Sequence, residues 1–237
     1  MYQILKVMKE KIKESIIGQF YLYFKGLYLK RLYLARNKKF IEVLKKYITS
    51  DITIISTNCF AGRIMQDLKM QYNSPTLGLY FMYPDYIDFL SNIKHYLTET
   101  KLVFTDKSKY QLGNERLQNA EHKYPMALLD NVIEIHFLHY KTEEEAAQKW
   151  YRRIERINWN KLFVIGMDQN GCKEADIYNF EKLPFKNKVF FTHRNIKETN
   201  VIIPIKEFAC RNEVGNPYTE RDIFYKYLVK WLAENFK

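Results

Sequence analysis

The spacing of apolar residues divides the chain into two parts. Residues 1–49 predict two or three helices, because apolar side chains recur at helical spacing with lysines between them: Ile4, Val7, Met8, Ile12, Ile16 and Ile17. After residue 50, short β-branched or aromatic runs alternate with helical patterns, beginning with "DITIIS" and a helix over about Ala61–Met70. The second part therefore predicts strands that alternate with helices.

The predicted elements of the second part follow one another closely. The strands are "DITIIS", "SPTLGLYF", "LVFTD", one within "ALLDNVIEIHFLHY", "KLFVIGM", "NKVFFTH" and "NVIIPI". The later helices are "YPDYIDFLSNIKHYL", "KTEEEAAQKWYRRIERI", "EADIYNFEKL" and "YTERDIFYKYLVKWLAENF". Thr142, with Glu145 three residues later, predicts a capping box. This order predicts an α/β domain over residues 51–237, a three-layer sandwich with a largely parallel or mixed central sheet, preceded by a basic amphipathic helical extension over residues 1–50.

The positive charge is concentrated in the extension. The net charge is +11, and residues 1–50 hold twelve Lys and Arg against three Asp and Glu. Because the rest of the chain is nearly neutral and shows no recognition module, we expect no nucleic-acid partner. Two interpretations of residues 1–49 stay open: peripheral contact with an acidic membrane or a membrane-bound partner, or docking of the apolar face on the body with the lysines solvated.

The cysteines and the first residues bear on the compartment. Cys59, Cys172 and Cys210 are widely spaced and form no CxxC motif, which favours a reducing compartment over a disulfide framework. The opening "MYQILKVMKEKIKE" is too charged for a signal peptide, and "SIIGQFYLYF" is too short for a membrane span. We expect a cytoplasmic protein that can lie at the inner face of the membrane.

Reactive residues follow several of the predicted strands. Since ligands of open α/β sheets bind outside the carboxyl ends of the strands, these residues are candidates for one site. They are Ser56, Asn58 and Cys59 after the first strand, His139 and Tyr140 after "VIEIHFL", Asp168 after "LFVIGM", and His193 and Arg194 after "KVFFT".

Cys59 admits three interpretations. A helix start favours negative charge, which would lower the pKa of the thiol and make it a nucleophile with His139 or His193 as base. The same backbone amides, with Asn58, could instead hold an oxyanion or a phosphate. The third interpretation is a small buried hydrophobe at a tight turn.

Metal and nucleotide motifs are not found. His136 and His139 point to opposite faces of a strand, so we expect His136 in the core and no metal site. Gly62 stands alone in the first strand-to-helix turn, with neither GxGxxG nor a P-loop, and we expect no cofactor. Arg153, with Arg152 and Arg156, could clamp a sugar phosphate or could only solvate an exposed helix face.

Several segments in order resemble the bacterial family called domain of unknown function nineteen-nineteen, whose members are often labelled exopolysaccharide biosynthesis proteins. They are "ISTNCFAGRIMQDL", "YNSPTLGLYFMYPDYIDFLSNIKHYL", "FLHYKTEEEAAQKWYRRIERIN" and "KVFFT", between about Asp51 and Phe208. The family's S-x-N-C-x-x-G pattern matches Ser56, Asn58, Cys59 and Gly62. Its other two segments match "FLHY" at residues 137–140 and Trp150 with Arg152 and Arg153.

The resemblance implies a role in exopolysaccharide or capsule biosynthesis, and two hypotheses follow. The first is an acyl or other group transferase acting on a sugar precursor, with His139 as base, Asp168 orienting it and Cys59 as nucleophile or turn packing. Ser56, Asn58, Gly62, Arg153, His193 and Arg194 would bind its substrate. The alternative is a non-catalytic component of a membrane-associated assembly complex that binds a sugar nucleotide or polysaccharide.

Overall fold

A computed structural model describes residues 16–236 of the chain. The strands are β1 Thr53–Ser56, β2 Tyr80–Phe81, β3 Leu102–Thr105, β4 Met126–Leu129, β5 Ile133–His136, β6 Leu162–Met167, β7 Asn187–Thr192 and β8 Ile202–Pro204. The helices are α1 Ile16–Tyr47, α2 Phe60–Leu68, α3 Asp85–Ser91, α4 Ile93–Thr98, α5 Gln111–Asn119, α6 Glu143–Ile154, α7 Glu174–Lys182 and α8 Arg221–Asn235, with a 3-10 turn at Lys206–Phe208. The helical prediction for residues 1–15 lies outside the described part.

The parallel sheet has the order β1-β6-β7-β8 and is buried on both faces. Alternation along the strands sends Ile54, Phe163 and Phe191 to the face covered by the end of α1, by α2 and by α8. Ile55 and Val164 lie on the opposite face, in the core shared with α3, α7 and the second sheet. The predicted α/β class, with helical layers around a parallel sheet, is confirmed.

A second, antiparallel sheet has the order β2-β5-β4-β3 and was not expected as a separate unit. The run "ALLDNVIEIHFLHY", predicted to hold one strand, instead forms the hairpin of β4 and β5. Asp130 and Asn131 at its turn have φ of 50° and 56°, the left-handed conformations that a tight two-residue hairpin turn requires. The predicted strand "SPTLGLYF" is reduced to the two residues of β2.

Helices differ from the predictions at three places. The segment "YPDYIDFLSNIKHYL" breaks at Asn92, whose φ of −136° and ψ of 45° are not helical, so it forms two helices. Helix α5 has too few apolar residues to show a helical period, and the sequence did not predict it. Thr142 caps α6 by accepting from the Glu145 amide at 3.2 Å, but the Glu145 carboxylate accepts from Lys141 instead of closing the box.

Within the described residues, the predicted helical extension forms one continuous helix, α1, over Ile16–Tyr47. Its last turns pack in the same core as α8 through Leu44, followed by Ile48. Further toward its start, Tyr23 and Tyr28 are exposed. Within residues 16–236, no helix combines the length and the apolar character that crossing a membrane requires.

Candidate functional site

A cavity of about 630 Å³, called the main cleft below, opens where β1 and β6 end. Its floor is formed by the residues that follow these strands, one wall by β2 and α5 of the antiparallel half, and the other by the loop before α8. The lining residues are Asn58, Cys59, Tyr80, Arg116, Ala120, Tyr124, Leu138, His139, Gln169, Asn170, Glu213, Asn216, Pro217 and Tyr218. The carboxyl ends of two parallel strands therefore meet at a concave site, as strand polarity predicts.

The turn after β1 satisfies two of the backbone amides at the start of α2 with its own side chains. The Asn58 Oδ1 accepts from the Phe60 amide at 3.0 Å, and the Ser56 Oγ accepts from the Ala61 amide at 3.2 Å. The Asn58 side-chain amide donates to Gln169 Oε1 at 2.7 Å. These donors are therefore occupied by the chain itself, which argues against the predicted oxyanion or phosphate site at Asn58 and the start of α2. Ser56 is fully buried and serves the turn.

Cys59 lines the main cleft, but its thiol is not activated. The residue is almost fully buried, and its Sγ lies 3.7 Å from the carbonyl oxygen of Leu79. Burial raises the pKa of the Cys59 thiol to about 12. The predicted lowering of this pKa is wrong, because desolvation of the thiolate outweighs the effect of the helix start. Packing at the turn is the interpretation that the structure favours.

His139 lies in the loop after β5 and faces two cavities. Besides the main cleft it lines a smaller cavity of about 270 Å³, called the side pocket, together with Gly62 and Arg153. Its ring centroid is 6.1 Å from that of Tyr218. Burial lowers the pKa of His139, so the imidazole is neutral near neutral pH and can accept a proton. In the described part of the chain, the His139 ring has no hydrogen-bond partner.

Asp168 does not orient His139. Its Oδ2 accepts from Thr192 Oγ1 at 2.6 Å and from Arg194 Nε at 3.0 Å, and lies 3.4 Å from His193 Nε2. Arg194 also donates to the carbonyl oxygen of Cys172 at 3.0 Å. The structure therefore groups buried Asp168 with the partly exposed His193 and Arg194 in a cluster that does not line the main cleft. The predicted pairing of Asp168 with His139 is wrong.

A chain of hydrogen-bonded polar groups leads from the antiparallel wall of the cleft into the core. The hydroxyls of Tyr80 and Tyr124 are 2.9 Å apart, Tyr124 lies 3.5 Å from His136 Nδ1, and His136 Nε2 contacts Glu134 Oε1 at 2.7 Å. The Tyr80 ring stacks on His136 with centroids 4.4 Å apart, and the Arg116 guanidinium lies 5.2 Å from the Tyr80 centroid. Burial raises the pKa of both tyrosines, so they present neutral hydroxyls.

Most of the chain matches one known protein family. A family model described as "Domain of unknown function (DUF1919)" matches residues 30–233. The chain belongs to this family. A Haemophilus influenzae protein with the name "Uncharacterized protein" is 38% identical over 184 residues, which is 76% of this chain and 82% of the relative. The DUF1919 match extends beyond residues 51–208, where the sequence showed the resemblance, and includes the second half of α1.

The sequence of this DUF1919 protein did not predict many of the residues that line the main cleft. Asn170 has φ of 58° in the "NG" turn after β6 and holds the Arg116 guanidinium through its Oδ1 at 2.6 Å. This turn signal is visible in the sequence. Arg116 and Tyr124 reach the cleft from the antiparallel half, and Pro217 and Tyr218 reach it from a loop. None of them follows a strand of the parallel sheet, so a search of the residues after those strands could not find them. Among the residues that the structure describes, no group of three or more His, Cys, Asp or Glu side chains could hold a metal ion.

Proposed function

We propose that the main cleft binds a sugar-containing precursor and that the protein serves exopolysaccharide or capsule biosynthesis at the cytoplasmic side of the membrane. The observation that carries this proposal is the chemistry of the lining. Tyr218 and His139 combine ring faces with polar tips, and neither tip has a hydrogen-bond partner among residues 16–236. Ring faces suit the C–H surfaces of a sugar, and polar tips at their edges suit its hydroxyls.

The rest of the lining is held rigidly. The Gln169 side chain bridges Asn58 and the carbonyls of Val214 and Gly215, while Asn170 joins the Phe81 carbonyl to Arg116. Such fixed amides preorganise the floor, so that little conformational entropy is lost when a ligand binds. The geometry therefore supports recognition of a sugar better than thiol chemistry, because Cys59 is held as the neutral thiol.

Group transfer is a second candidate, favoured by His139 alone. The neutral imidazole stands on the wall shared by the main cleft and the side pocket, where it could take a proton from a sugar hydroxyl. Burial of His139 keeps its pKa low, which suits a general base at neutral pH. Under this hypothesis, His139→Ala abolishes turnover while Cys59→Ser keeps it.

Tyr218→Ala is expected to weaken sugar binding by about tenfold, because it removes both a ring face and a hydroxyl from the cleft. Saturation-transfer NMR and calorimetry with a panel of methyl hexosides and nucleoside-diphosphate hexoses measure the loss. Tyr178→Ala is the matched control, since Tyr178 is 41% exposed against 38% for Tyr218 and lies on α7, away from the lining. Equal binding by the Tyr218 variant, or no binding of any sugar by the native protein, contradicts the proposal.

We also propose that the exposed aromatic residues of α1 between Tyr23 and Tyr28 contact an anionic membrane surface. Tyr23, Phe24 and Tyr28 are 64%, 61% and 62% exposed, and residues 16–41 contain six Lys and Arg and no Asp or Glu. Interfacial aromatic rings beside cations suit the headgroup region of an anionic bilayer.

The double variant Tyr23→Ser with Tyr28→Ser should therefore lose most of its sedimentation with vesicles that contain phosphatidylglycerol. Native binding should fall with added salt and with neutral phosphatidylcholine vesicles, because the attraction of lysines for the surface is screened. Tyr178→Ser is the control. Sedimentation that neither the double variant nor salt reduces excludes this surface as the contact.

A further inference from the structure

The side pocket carries an inference that deepens the proposed function. It lies between the start of α2, the loop before β2 and the outer face of α6, with a volume of about 270 Å³. It is lined by Gly62, Gln66, Tyr72, Leu77, Gly78, His139, Tyr140, Lys149, Arg153 and Tyr218. His139 and Tyr218 also line the main cleft, so the two cavities share a wall. None of these lining residues is an Asp or a Glu.

Arg153 is the unusual group in this pocket. It is only 7% exposed, yet it has neutral partners throughout the described part of the chain. Its Nη1 donates to the Leu77 carbonyl at 3.1 Å and to the Tyr140 hydroxyl at 2.5 Å. Its guanidinium carbon lies 5.5 Å from the Tyr72 ring centroid and 5.9 Å from that of Tyr140. No carboxylate among residues 16–236 lies within salt-bridge distance of it.

An unpaired guanidinium is costly at this depth. Arginine cannot lose its proton to escape the cost of desolvation, in contrast to lysine or histidine. Buried cations are normally paired with anions. Lys149 also lines the pocket, and its ammonium group pairs with the Glu145 carboxylate at 2.5 Å. Glu145 therefore balances the charge of Lys149 and leaves the charge of Arg153 without a counter-ion. The pocket therefore holds a net positive charge without an internal counter-ion.

We propose that the side pocket binds the phosphate of a phosphorylated sugar, with Arg153 as its counter-ion and the sugar in the main cleft. A guanidinium that offers its remaining N–H groups matches the oxygen spacing of a phosphate. The wall shared by His139 and Tyr218 places both parts of one ligand within reach. This inference rests on the proposed function only for the sugar part, since the phosphate part follows from Arg153 alone.

The test compares three probes on the native protein and on Arg153→Gln. The probes are inorganic phosphate, glucose 1-phosphate and methyl glucoside, followed by calorimetry and ³¹P NMR at low ionic strength. Arg153→Gln should weaken binding of both phosphates at least tenfold. Arg152→Gln, which removes an exposed arginine from the same helix, should change it less than twofold. Arg153→Lys keeps a charge and should restore part of the affinity, provided that circular dichroism shows both Arg153 variants folded.

The outcomes separate the two proposals. Tighter binding of glucose 1-phosphate than of either simpler probe, lost in Arg153→Gln, supports both. Phosphate binding without any sugar contribution supports the side pocket and counts against the sugar cleft. Glucoside binding without phosphate binding overturns the side pocket alone. The side-pocket proposal is also overturned if phosphate binds with equal affinity to the native protein and to a folded Arg153→Gln variant. Arg153 would then have only the structural role of its hydrogen bond to the Leu77 carbonyl. If neither Arg153 variant folds, the absence of ³¹P shifts with the native protein overturns it.

Discussion

Glu134→Ala is expected to lower the free energy of unfolding by about 3–5 kcal/mol. Glu134 is fully buried beneath α5, and its carboxylate accepts from Ser108 Oγ at 2.5 Å, His136 Nε2 at 2.7 Å and the Lys109 amide at 2.8 Å. Alanine leaves these three donors without an acceptor in the core. Chemical denaturation measures the change, and Glu121→Ala, at an exposed position, serves as the control.

The same carboxylate makes stability depend on pH. Although burial alone raises the pKa of Glu134, the hydrogen bonds from His136, Ser108 and the Lys109 amide hold it below its ordinary value. A carboxyl group with a lower pKa in the folded state stabilises the fold above the unfolded pKa, and this contribution is lost as pH falls through the folded value. The native protein should therefore exceed Glu134→Gln in melting temperature at pH 7, and the difference should shrink below about pH 4. A difference that stays constant with pH contradicts the assignment.

Gly113→Ala is expected to destabilise the fold by about 1–3 kcal/mol, against the usual gain for this change in a helix. A Cβ at position 113 would lie 2.2 Å from Ser108 Oγ, 2.8 Å from Ser108 Cβ and 3.1 Å from His136 Cε1. Ser108 cannot yield without breaking its bond to Glu134, so α5 must move away from the sheet.

Gly62→Ala is the matched control for Gly113→Ala, because both glycines are helical. A Cβ at position 62 would meet Tyr218 at 3.6 Å and Leu77 at 3.9 Å, which are ordinary contacts. Alanine there should raise stability by about 0.5–1 kcal/mol. Thermal unfolding that shows the same sign for both substitutions would contradict this account of α5.

The parallel half was predictable because each of its strands is a short apolar run, and β1, β6 and β7 end at or directly before polar residues. That rule also placed Asn58, Cys59 and His139 at one cleft. It failed for Asp168, because which way a side chain turns after a strand depends on neighbours such as Thr192 and Arg194 that are distant in sequence. It failed for the pKa of Cys59, since burial comes from tertiary packing and the helix start is a local feature.

The antiparallel half was harder to predict for a different reason. Its register depends on the two-residue turn at Asp130 and Asn131, and one missed turn merges two strands into one. Helix α5 approaches Ser108 and His136 closely at Gly113, and only Leu112 and Leu117 give it apolar contacts with the core. The wall that it contributes to the main cleft therefore follows from long-range packing, which no short stretch of sequence displays.

Strand β2 is only two residues long, yet it joins both halves of the protein. Phe81 pairs with Ile135 of β5, and its amide donates to the carbonyl of Thr57, the residue after β1, at 2.9 Å. Two residues further on, the Tyr83 amide donates to Asn170 at 3.1 Å. Separating the sheets would break these bonds and open the main cleft in one event. A ligand bound between the walls of the main cleft therefore stabilises both sheets together, and its binding free energy adds to the free energy of unfolding of the whole protein.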